Sequence, residues 1–113
     1  MITRKEDMTL DVRENMRGGN GAAKLMALST ELPGKMRLFS TIRLEPGCSI
    51  GYHVHEGEAE MFYFVEGTGR VQDDDKIIDV KAGDSMATFS GHGHSVENTG
   101  DVDLVLVAAI VLD

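Results

Sequence analysis

The fold is decided by residues 47–67, which read GCSIGYHVHEGEAEMFYFVEG. His53 and His55 are separated by one residue, so on a β-strand both imidazoles point to the same face. Glu60 follows five residues after His55, past a turn that contains Gly57, at the start of an apolar strand. We expect a hairpin at this turn to return the Glu60 carboxylate beside the two rings.

A third imidazole comes from a distant part of the chain. His94 lies 34 residues after Glu60, on a separate predicted strand. Three imidazoles and one carboxylate suit a first-row divalent metal of borderline softness. Four protein ligands would leave part of an octahedral shell open for water or substrate, as in a reactive metal site. A His-x-His pair alone also fits an ordinary surface feature, so the prediction depends on the longer pattern.

Outside this stretch, the pattern is that of an all-β protein. Turn residues recur about every 8–12 positions in the second half of the chain, the spacing of a β-sandwich or barrel. The last apolar run is apolar on both faces, which predicts a central strand or part of a subunit interface. Strands are predicted at residues 24–29, 36–44, 61–65, 69–72, 76–80, 85–89, 94–97 and 102–112.

The start of the chain is harder to interpret. Residues 5–16 fit either a short helix or an extended arm. Gly18, Gly19 and Gly21 then predict a tight turn with positive φ. The charge run at residues 73–75 is predicted to be a solvated hairpin turn rather than a cation site.

Composition limits the classes of protein to which the chain can belong. Its 113 residues are 42% hydrophobic, which is enough for one domain with its own core. We expect that domain to cover residues 1–113, with an N-terminal arm at residues 1–23. The 11 basic and 19 acidic residues give a net charge of −8. This charge opposes binding to nucleic-acid phosphates, so no nucleic-acid partner is expected.

The sequence also lacks signals for export or membrane insertion. Residues 1–7 are polar and charged, and the longest apolar run, residues 104–112, is far shorter than the ~20 residues of a membrane span. The single cysteine, Cys48, excludes an intrachain disulfide. We therefore expect a cytoplasmic protein with Cys48 reduced and no membrane association.

Residues 47–67 resemble the first sequence motif of the cupin superfamily, G-x5-H-x-H-x3or4-E-x6-G. In this chain the fixed positions of the motif are Gly47, His53, His55, Glu60 and Gly67, and every spacing matches. The chain is therefore similar to small single-domain bacterial cupins of the cupin-2 conserved-barrel type.

Residues 83–98 resemble the second cupin motif, G-x5-P-x-G-x2-H-x3-N. The matching positions are Gly83, Gly91, His94 and Asn98. The one departure is Phe89, where the family pattern has proline, so a fixed φ before the turn is lost. The two motifs span residues 47–98, about half of the chain.

The resemblance implies an all-β fold, the double-stranded β-helix or jelly-roll barrel of the cupins, with a metal inside it. It implies His53, His55, Glu60 and His94 as the metal ligands. The metals of the family include manganese, iron, nickel, zinc, cobalt and copper, and the resemblance selects none of them. Some small bacterial cupins that begin with a segment like residues 13–19 have been labelled oxalate decarboxylases by analogy, but fold and ligands do not fix chemistry.

Two further residues are candidates for a catalytic role at the mouth of the barrel. Glu58 is an alternative ligand to Glu60, a proton donor or a solvated carboxylate, and its spacing after the second histidine is too short for the motif. His92 shares the parity of His94. It fits a group that supports the ligands, an alternative ligand or an exposed loop histidine.

Other polar residues have simpler expected roles. Arg37, Arg43 and Arg70 lie on predicted strands and are expected to be solvated, although one facing inward would bind a carboxylate bidentately. Asn98 is expected to stabilise its turn rather than bind the metal. Cys48 fits a small packed hydrophobe better than a nucleophile.

Three classes of function follow from a reachable metal. The first is a metal-dependent enzyme, such as a dioxygenase, decarboxylase or isomerase, acting on a small oxygen-rich metabolite with carboxylate or carbonyl groups. The second is a non-catalytic module that binds or senses a small molecule or a metal. The third is a metal kept mainly for stability. The doubly apolar C-terminal strand and the open edges of a small β protein also predict a homodimer.

Overall fold

The computed structural model describes residues 1–113. Its regular structure consists of strands and two short 3₁₀ turns, Lys5–Asp7 and Met16–Gly18. None of its helical segments has the length and hydropathy needed to cross a membrane. The strands are β1 (Leu10–Glu14), β2 (Ala22–Ala27), β3 (Met36–Leu44), β4 (Ser49–Val54), β5 (Glu58–Glu66), β6 (Thr68–Asp73), β7 (Lys76–Lys81), β8 (Ser85–Thr88), β9 (Gly93–Asn98) and β10 (Leu104–Leu112).

The strands form two antiparallel sheets that share one core. The larger sheet has the order β1-β2-β3-β10-β5-β8, and the smaller sheet has the order β4-β9-β6-β7. Alternate residues of both sheets point inward, where a cluster of 13 buried residues forms the core. The predicted all-β jelly-roll fold is confirmed.

Strand β10 lies in the middle of the larger sheet, between β3 and β5. Its inward residues Leu104, Leu106, Ala108 and Ile110 are all buried. Burying each leucine or isoleucine stabilises the fold by roughly 1.5–3 kcal/mol relative to exposure. The prediction of a central strand for the C-terminal apolar run is therefore confirmed.

The other strand predictions agree with the structure to within a few residues at each end. Residues 36–44 form β3 with the predicted bounds, whereas the run predicted at residues 61–65 extends to Glu58–Glu66. The run of three aspartates is the hairpin turn between β6 and β7, with Asp74 at φ 53°. The predicted strand at residues 24–29 begins and ends two residues earlier, as β2.

Asn98 has the turn-stabilising role that the second motif predicts. Its side chain is 2% exposed. Its amide nitrogen donates to the carbonyl oxygens of Leu44 and Val102, each at 2.8 Å, and its amide oxygen accepts from the backbone N–H of Gly100. These bonds tie the end of β9 to the end of β3 and to the segment before β10, and they satisfy a buried polar group.

The N-terminal arm is extended rather than helical. After the 3₁₀ turn at Lys5–Asp7, β1 pairs with β2 along its whole length and forms one edge of the larger sheet. Inward-facing Asp11 pairs with Leu25, and Arg13 pairs with Ala23. Because Ala23 and Leu25 are core residues, directly opposite side chains of β1 point to the same inner face.

The glycines after β1 serve two different purposes. Gly18 and Gly21 have the predicted positive φ, at 81° and 64°. Gly19 does not, since its φ is −75°. A Cβ on Gly19 would lie 2.2 Å from the Ser49 carbonyl oxygen, so this position requires glycine for close backbone approach to β4.

Candidate metal centre

Four residues from both sheets bring their ligand atoms together inside the barrel. His53 lies near the end of β4, His55 directly follows that strand, His94 lies on β9 and Glu60 lies on β5. Their imidazole nitrogen and carboxylate oxygen atoms all lie within 4.8 Å of one another. His55, Glu60 and His94 are buried, and His53 is half-buried. The structure thus brings together the four residues that the sequence motifs indicate.

Strand pairing explains this convergence. His53 and His94 are direct partners in the ladder between β4 and β9, so both rings project to the same face. The backbone of His55 continues this edge beyond β4, because its N–H donates to the His92 carbonyl oxygen at 3.0 Å. Glu60 faces the rings from the other sheet, on the same parity as buried Phe62.

The rings of His53 and His55 are fixed through their Nδ1 atoms. His53 Nδ1 donates to the Gly51 carbonyl oxygen at 2.8 Å, and His55 Nδ1 donates to a Glu58 carboxylate oxygen at 2.6 Å. Neither acceptor has a proton to give, so both rings carry a proton on Nδ1. Burial lowers the pKa of His53, which favours its neutral form. A neutral His53 ring with its proton on Nδ1 leaves the Nε2 lone pair free to bind a metal.

His94 is held by contacts on two sides. Its Nδ1 atom lies 2.7 Å from the Thr88 hydroxyl oxygen. The Phe62 ring stacks on it with centroids 4.9 Å apart and planes inclined by 16°. The ring is 1% exposed, so this packing fixes its orientation within the barrel.

The inward-facing atoms of the cluster lie within hydrogen-bond distance of one another. His55 Nε2 and His94 Nε2 lie 3.1 Å apart, and Glu60 Oε1 lies 3.0 Å from each of them. In the absence of a cation such contacts need a proton on one of the atoms, for example on His94 Nε2 when the Thr88 hydroxyl donates to His94 Nδ1. Imidazoles anchored through Nδ1, together with a carboxylate, are the donor set of a first-row metal site. The residues present therefore fit a divalent metal.

Glu58 supports this cluster from behind His55. Arg37 donates two hydrogen bonds to the Glu58 carboxylate, at 2.7 and 2.6 Å, in a bidentate pair. The Arg37 guanidinium, aided by the His55 bond, holds the pKa of Glu58 at about 2, and the pKa of Arg37 is raised in turn. Glu58 is therefore ionised at neutral pH and lies outside the cluster of four.

A cavity of about 120 Å³, here called the metal cavity, leads to the four residues. Half of the residues that line it are hydrophobic, and three arginines, Arg13, Arg17 and Arg37, also line it. Arg13 pairs with Asp11 at 2.7 Å, and Arg37 pairs with Glu58. Arg17 forms no ion pair with any carboxylate of the chain, so its charge is unneutralised at the cavity wall.

The family of the chain follows from residues 40–110, which match the family model described as the cupin domain. The chain belongs to the cupin family. This match includes all four residues of the cluster and both sequence motifs.

Relatives of this cupin agree with that assignment. The oxalate-binding protein of Thermotoga maritima is 42% identical over 114 residues, which cover 99% of this chain and 94% of the relative. A crystal structure from Thermotoga maritima, described as a predicted oxalate decarboxylase, has a TM-score of 0.94 at 42% identity and covers 100% of both chains. The cupin domain of Schizosaccharomyces pombe Cnp3 has a TM-score of 0.75 at 14% identity over 93% of this chain and 70% of that one, a likeness in fold alone.

His92 lies outside the cluster of four residues. The ring of His92 is exposed, and its Nδ1 atom lies 2.6 Å from a carboxylate oxygen of Asp74. Asp74 also accepts from the backbone N–H of Gly93 at 2.9 Å. The N–H of Gly93, followed by the His92 ring, holds the pKa of Asp74 below its usual value. His92 thus joins the β6–β7 turn to β9, and it does not line the metal cavity.

Among the other predicted candidates, only Arg37 reaches the metal cavity. Arg43 pairs with Asp103, and Arg70 pairs with Asp79, in the solvated outward positions expected for them. Half-buried Cys48 packs against the core as a small hydrophobe, as predicted.

The N-terminal arm contributes cavity residues that were not predicted from the sequence. Arg13, Met16 and Arg17 line the metal cavity, and Arg17 has the left-handed backbone conformation, with φ 55° and ψ 29°. The available signal was the Gly18-Gly19 turn. This turn brings Arg17 to the cavity because the Arg17 backbone packs against Gly51. The periodicity of the sequence does not reveal this contact.

Proposed function

We propose that this cupin binds one divalent transition metal through His53, His55, Glu60 and His94, and holds a small carboxylate ligand beside it. The observation that carries the proposal is the convergence of the His55 and His94 Nε2 atoms and the Glu60 carboxylate within about 3 Å of one another. A divalent cation among these atoms would accept their lone pairs. The Nδ1 anchors hold the rings in place before the metal arrives.

The ligand class is supported by the charges around the metal cavity. Arg17 has an unneutralised guanidinium, whereas Arg13 and Arg37 are already paired. A carboxylate would form charge-assisted hydrogen bonds with Arg17. The net charge of the chain is negative and repels anions, so the positive charge of Arg17 would be the local point of attraction for a carboxylate. The name of the Thermotoga maritima oxalate-binding protein supports a small dicarboxylate as the reference ligand.

Turnover of the bound acid is the second candidate function. It is supported by the metal cavity, which leaves room beside the cluster, and by the description of the related crystal structure as a predicted oxalate decarboxylase. A bound divalent metal would supply Lewis-acid polarisation of a carbonyl or carboxylate oxygen. Within the chain, Arg17 would orient the acid, the Arg37–Glu58 pair would hold His55 in place, and Phe62 would keep water from His94.

The test compares binding of oxalate to the metal-loaded and metal-stripped chains by calorimetry, after elemental analysis of the purified protein. We expect binding only in the loaded form. Arg17→Gln should weaken it roughly tenfold to a hundredfold, because a hydrogen bond to a charged group is lost. Arg43→Gln is the matched control, since Arg43 pairs with Asp103 away from the cavity. Equal affinity in the stripped chain would contradict the proposal.

Turnover is tested separately on the same material. Loss of the acid, with carbon dioxide release or oxygen uptake, would establish an enzyme. Binding without any chemical change, whichever metal is loaded, would establish a binding or sensing module.

We propose further that two copies associate through the outer face of the larger sheet. Phe39, Met61 and Tyr63 project from that face and are 38%, 45% and 52% exposed. Phe39 and Met61 are both partners of Ala109, so they form one contiguous apolar patch. Sedimentation velocity should show a dimer that Tyr63→Glu dissociates. Ile77→Glu, on the smaller sheet, is the control, and a monomeric wild-type chain at micromolar concentration would contradict the proposal.

A cytoplasmic location is also proposed. It is supported by the single unpaired thiol, Cys48, and by an acidic composition without a disulfide framework. Fractionation of cells that express the full gene would test it, and recovery in the secreted fraction would contradict it.

A further inference from the structure

A second cavity adjoins the metal cavity on the inner face of β1, β2 and β3. This side groove has a volume of about 180 Å³. Four residues line both the groove and the metal cavity: Arg13, Leu25, Arg37 and Leu38. The two spaces therefore adjoin along one shared wall, and the pair, which begins at the four donor residues, is here called the channel.

The side groove lies at one edge of the larger sheet. The larger sheet has six strands and the smaller has four, and β1 is the edge strand of the larger sheet on this side. Inward-facing Arg13 and Asp11 on β1 are consequently about half exposed, although they lie beside core residues of β2. The segment between β2 and β3, which contains Leu32, forms the far wall.

The chemistry of the channel changes along its length. At the metal end are the four donor residues and the unpaired Arg17. At the junction, the guanidinium groups of Arg13 and Arg37 are neutralised by carboxylates of this chain. Beyond the junction most of the exposed lining is apolar, from Leu25, Ala27, Leu32 and Leu38. A ligand that fills the whole channel must therefore combine a charged, oxygen-rich head with an uncharged, apolar tail.

We infer that the ligand of this cupin is a 2-oxo acid with an aliphatic or aromatic side chain, larger than oxalate, whose side chain occupies the side groove. This inference rests on the proposed function, because the carboxylate end is held at the metal and Arg17. The tail passes between Arg13 and Arg37 and contacts Leu25, Leu32 and Leu38. Since the groove is preformed and apolar, affinity should rise about fourfold for each methylene that becomes buried.

The experiment titrates the metal-loaded chain with oxalate, pyruvate and straight-chain 2-oxo acids of increasing length, followed by calorimetry. Ala27→Leu fills the groove at the end of β2 from an exposed position, and Ala82→Leu, in the turn between β7 and β8, is the matched control. We expect affinity to rise with chain length in the wild type and in Ala82→Leu. In Ala27→Leu the rise should be absent, while the affinities for oxalate and pyruvate stay unchanged. Long acids should also shift the methyl resonances of Leu25 and Leu32.

The possible failures are distinguishable. If oxalate or pyruvate binds with the metal but chain length adds nothing, the inference is wrong and the proposed function stands. If affinity rises with length equally in Ala27→Leu, the tail lies elsewhere and the groove assignment is wrong. If no acid binds to the loaded chain, both the proposed function and the inference are wrong.

Discussion

The Gly51 backbone lies directly against that of Arg17, so that a Cβ on Gly51 would be 2.0 Å from the Arg17 carbonyl oxygen. The same Gly51 accepts the Nδ1 proton of His53 through its own carbonyl oxygen. One residue without a side chain thus connects the N-terminal arm to His53, a member of the four-residue cluster. Arg17 reaches the metal cavity because of this contact, despite a backbone conformation that L-residues seldom adopt.

We therefore predict that Gly51→Ala displaces the arm and the Arg17 side chain with it. The free energy of unfolding should fall by about 1–3 kcal/mol, as for other overpacked sites, and carboxylate affinity should fall as well. Gly34→Ala is the matched control, because a Cβ on Gly34 meets no atom within 4 Å. Urea unfolding and calorimetry measure the two effects, and an unchanged Gly51→Ala protein would refute the contact.

Replacing Glu58 should weaken metal binding even though Glu58 lies outside the cluster. Glu58→Gln keeps a hydrogen-bond acceptor for His55 Nδ1 but removes the negative charge that forms an ion pair with Arg37. We therefore expect the metal affinity to be about tenfold lower. Glu58→Ala should lose up to about a hundredfold, because the ring of His55 is then free to rotate. Competition with a coloured chelator measures both. Exposed Glu56→Gln, two residues away, should change nothing.

Metal should stabilise the folded chain through the buried cluster. At a free metal concentration of about 100 times the dissociation constant, the gain is about 2.7 kcal/mol, and it should appear as a rise in Tm. His94→Ala should abolish this rise, since it removes the most buried of the three rings. His92→Ala should retain it, because His92 bonds to Asp74 instead. An equal loss in both variants would mean that the metal binds elsewhere.

Asp74 should make the folded state sensitive to acid. Its folded-state pKa lies below the ordinary value of 3.8, because the Gly93 N–H and the His92 ring favour the carboxylate. The resulting stability is present above pH 3.8 and is lost as pH falls through the lower folded-state pKa. Asp74→Asn should therefore be less stable than the wild type near neutrality, and the difference should shrink as pH falls below 3.8. Asp75→Asn, at the neighbouring exposed position, serves as the control for unfolding at each pH.

The sequence was sufficient for the part of the fold that depends on short-range patterns. Alternation placed Glu60, Phe62 and Phe64 on one inner face, and all three are buried. The spacing of the two motifs indicated the cluster, because strand pairing converts such spacing into proximity, as for His53 opposite His94. The ends of strands were harder to predict, because residues there do not alternate clearly between apolar and polar. Strand β5, for example, runs from Glu58 to Glu66, beyond both ends of the predicted strand at residues 61–65.

The features that the sequence did not predict all depend on contacts between distant segments. Glu58 was considered as a ligand or proton donor, but its role is set by Arg37, 21 residues earlier. The hydrophobic pattern of residues 5–16 did not distinguish a helix from an extended arm, and the helix proved wrong. Its place at the cavity follows from backbone packing between Gly19 and Ser49, which leaves no pattern in side-chain hydropathy.

The central position of β10 has a consequence for how the protein matures on the ribosome. Strands β3 and β5 are synthesised long before β10, yet each has β10 as a neighbour across one edge. Glu60 itself pairs with Ile110, so this strand pairing positions the carboxylate of the cluster only after residue 110 has been synthesised. Capture of the proposed metal would thus follow the synthesis of β10, and a ribosome stalled before residue 104 would present a nascent chain in which β3 and β5 lack this shared neighbour.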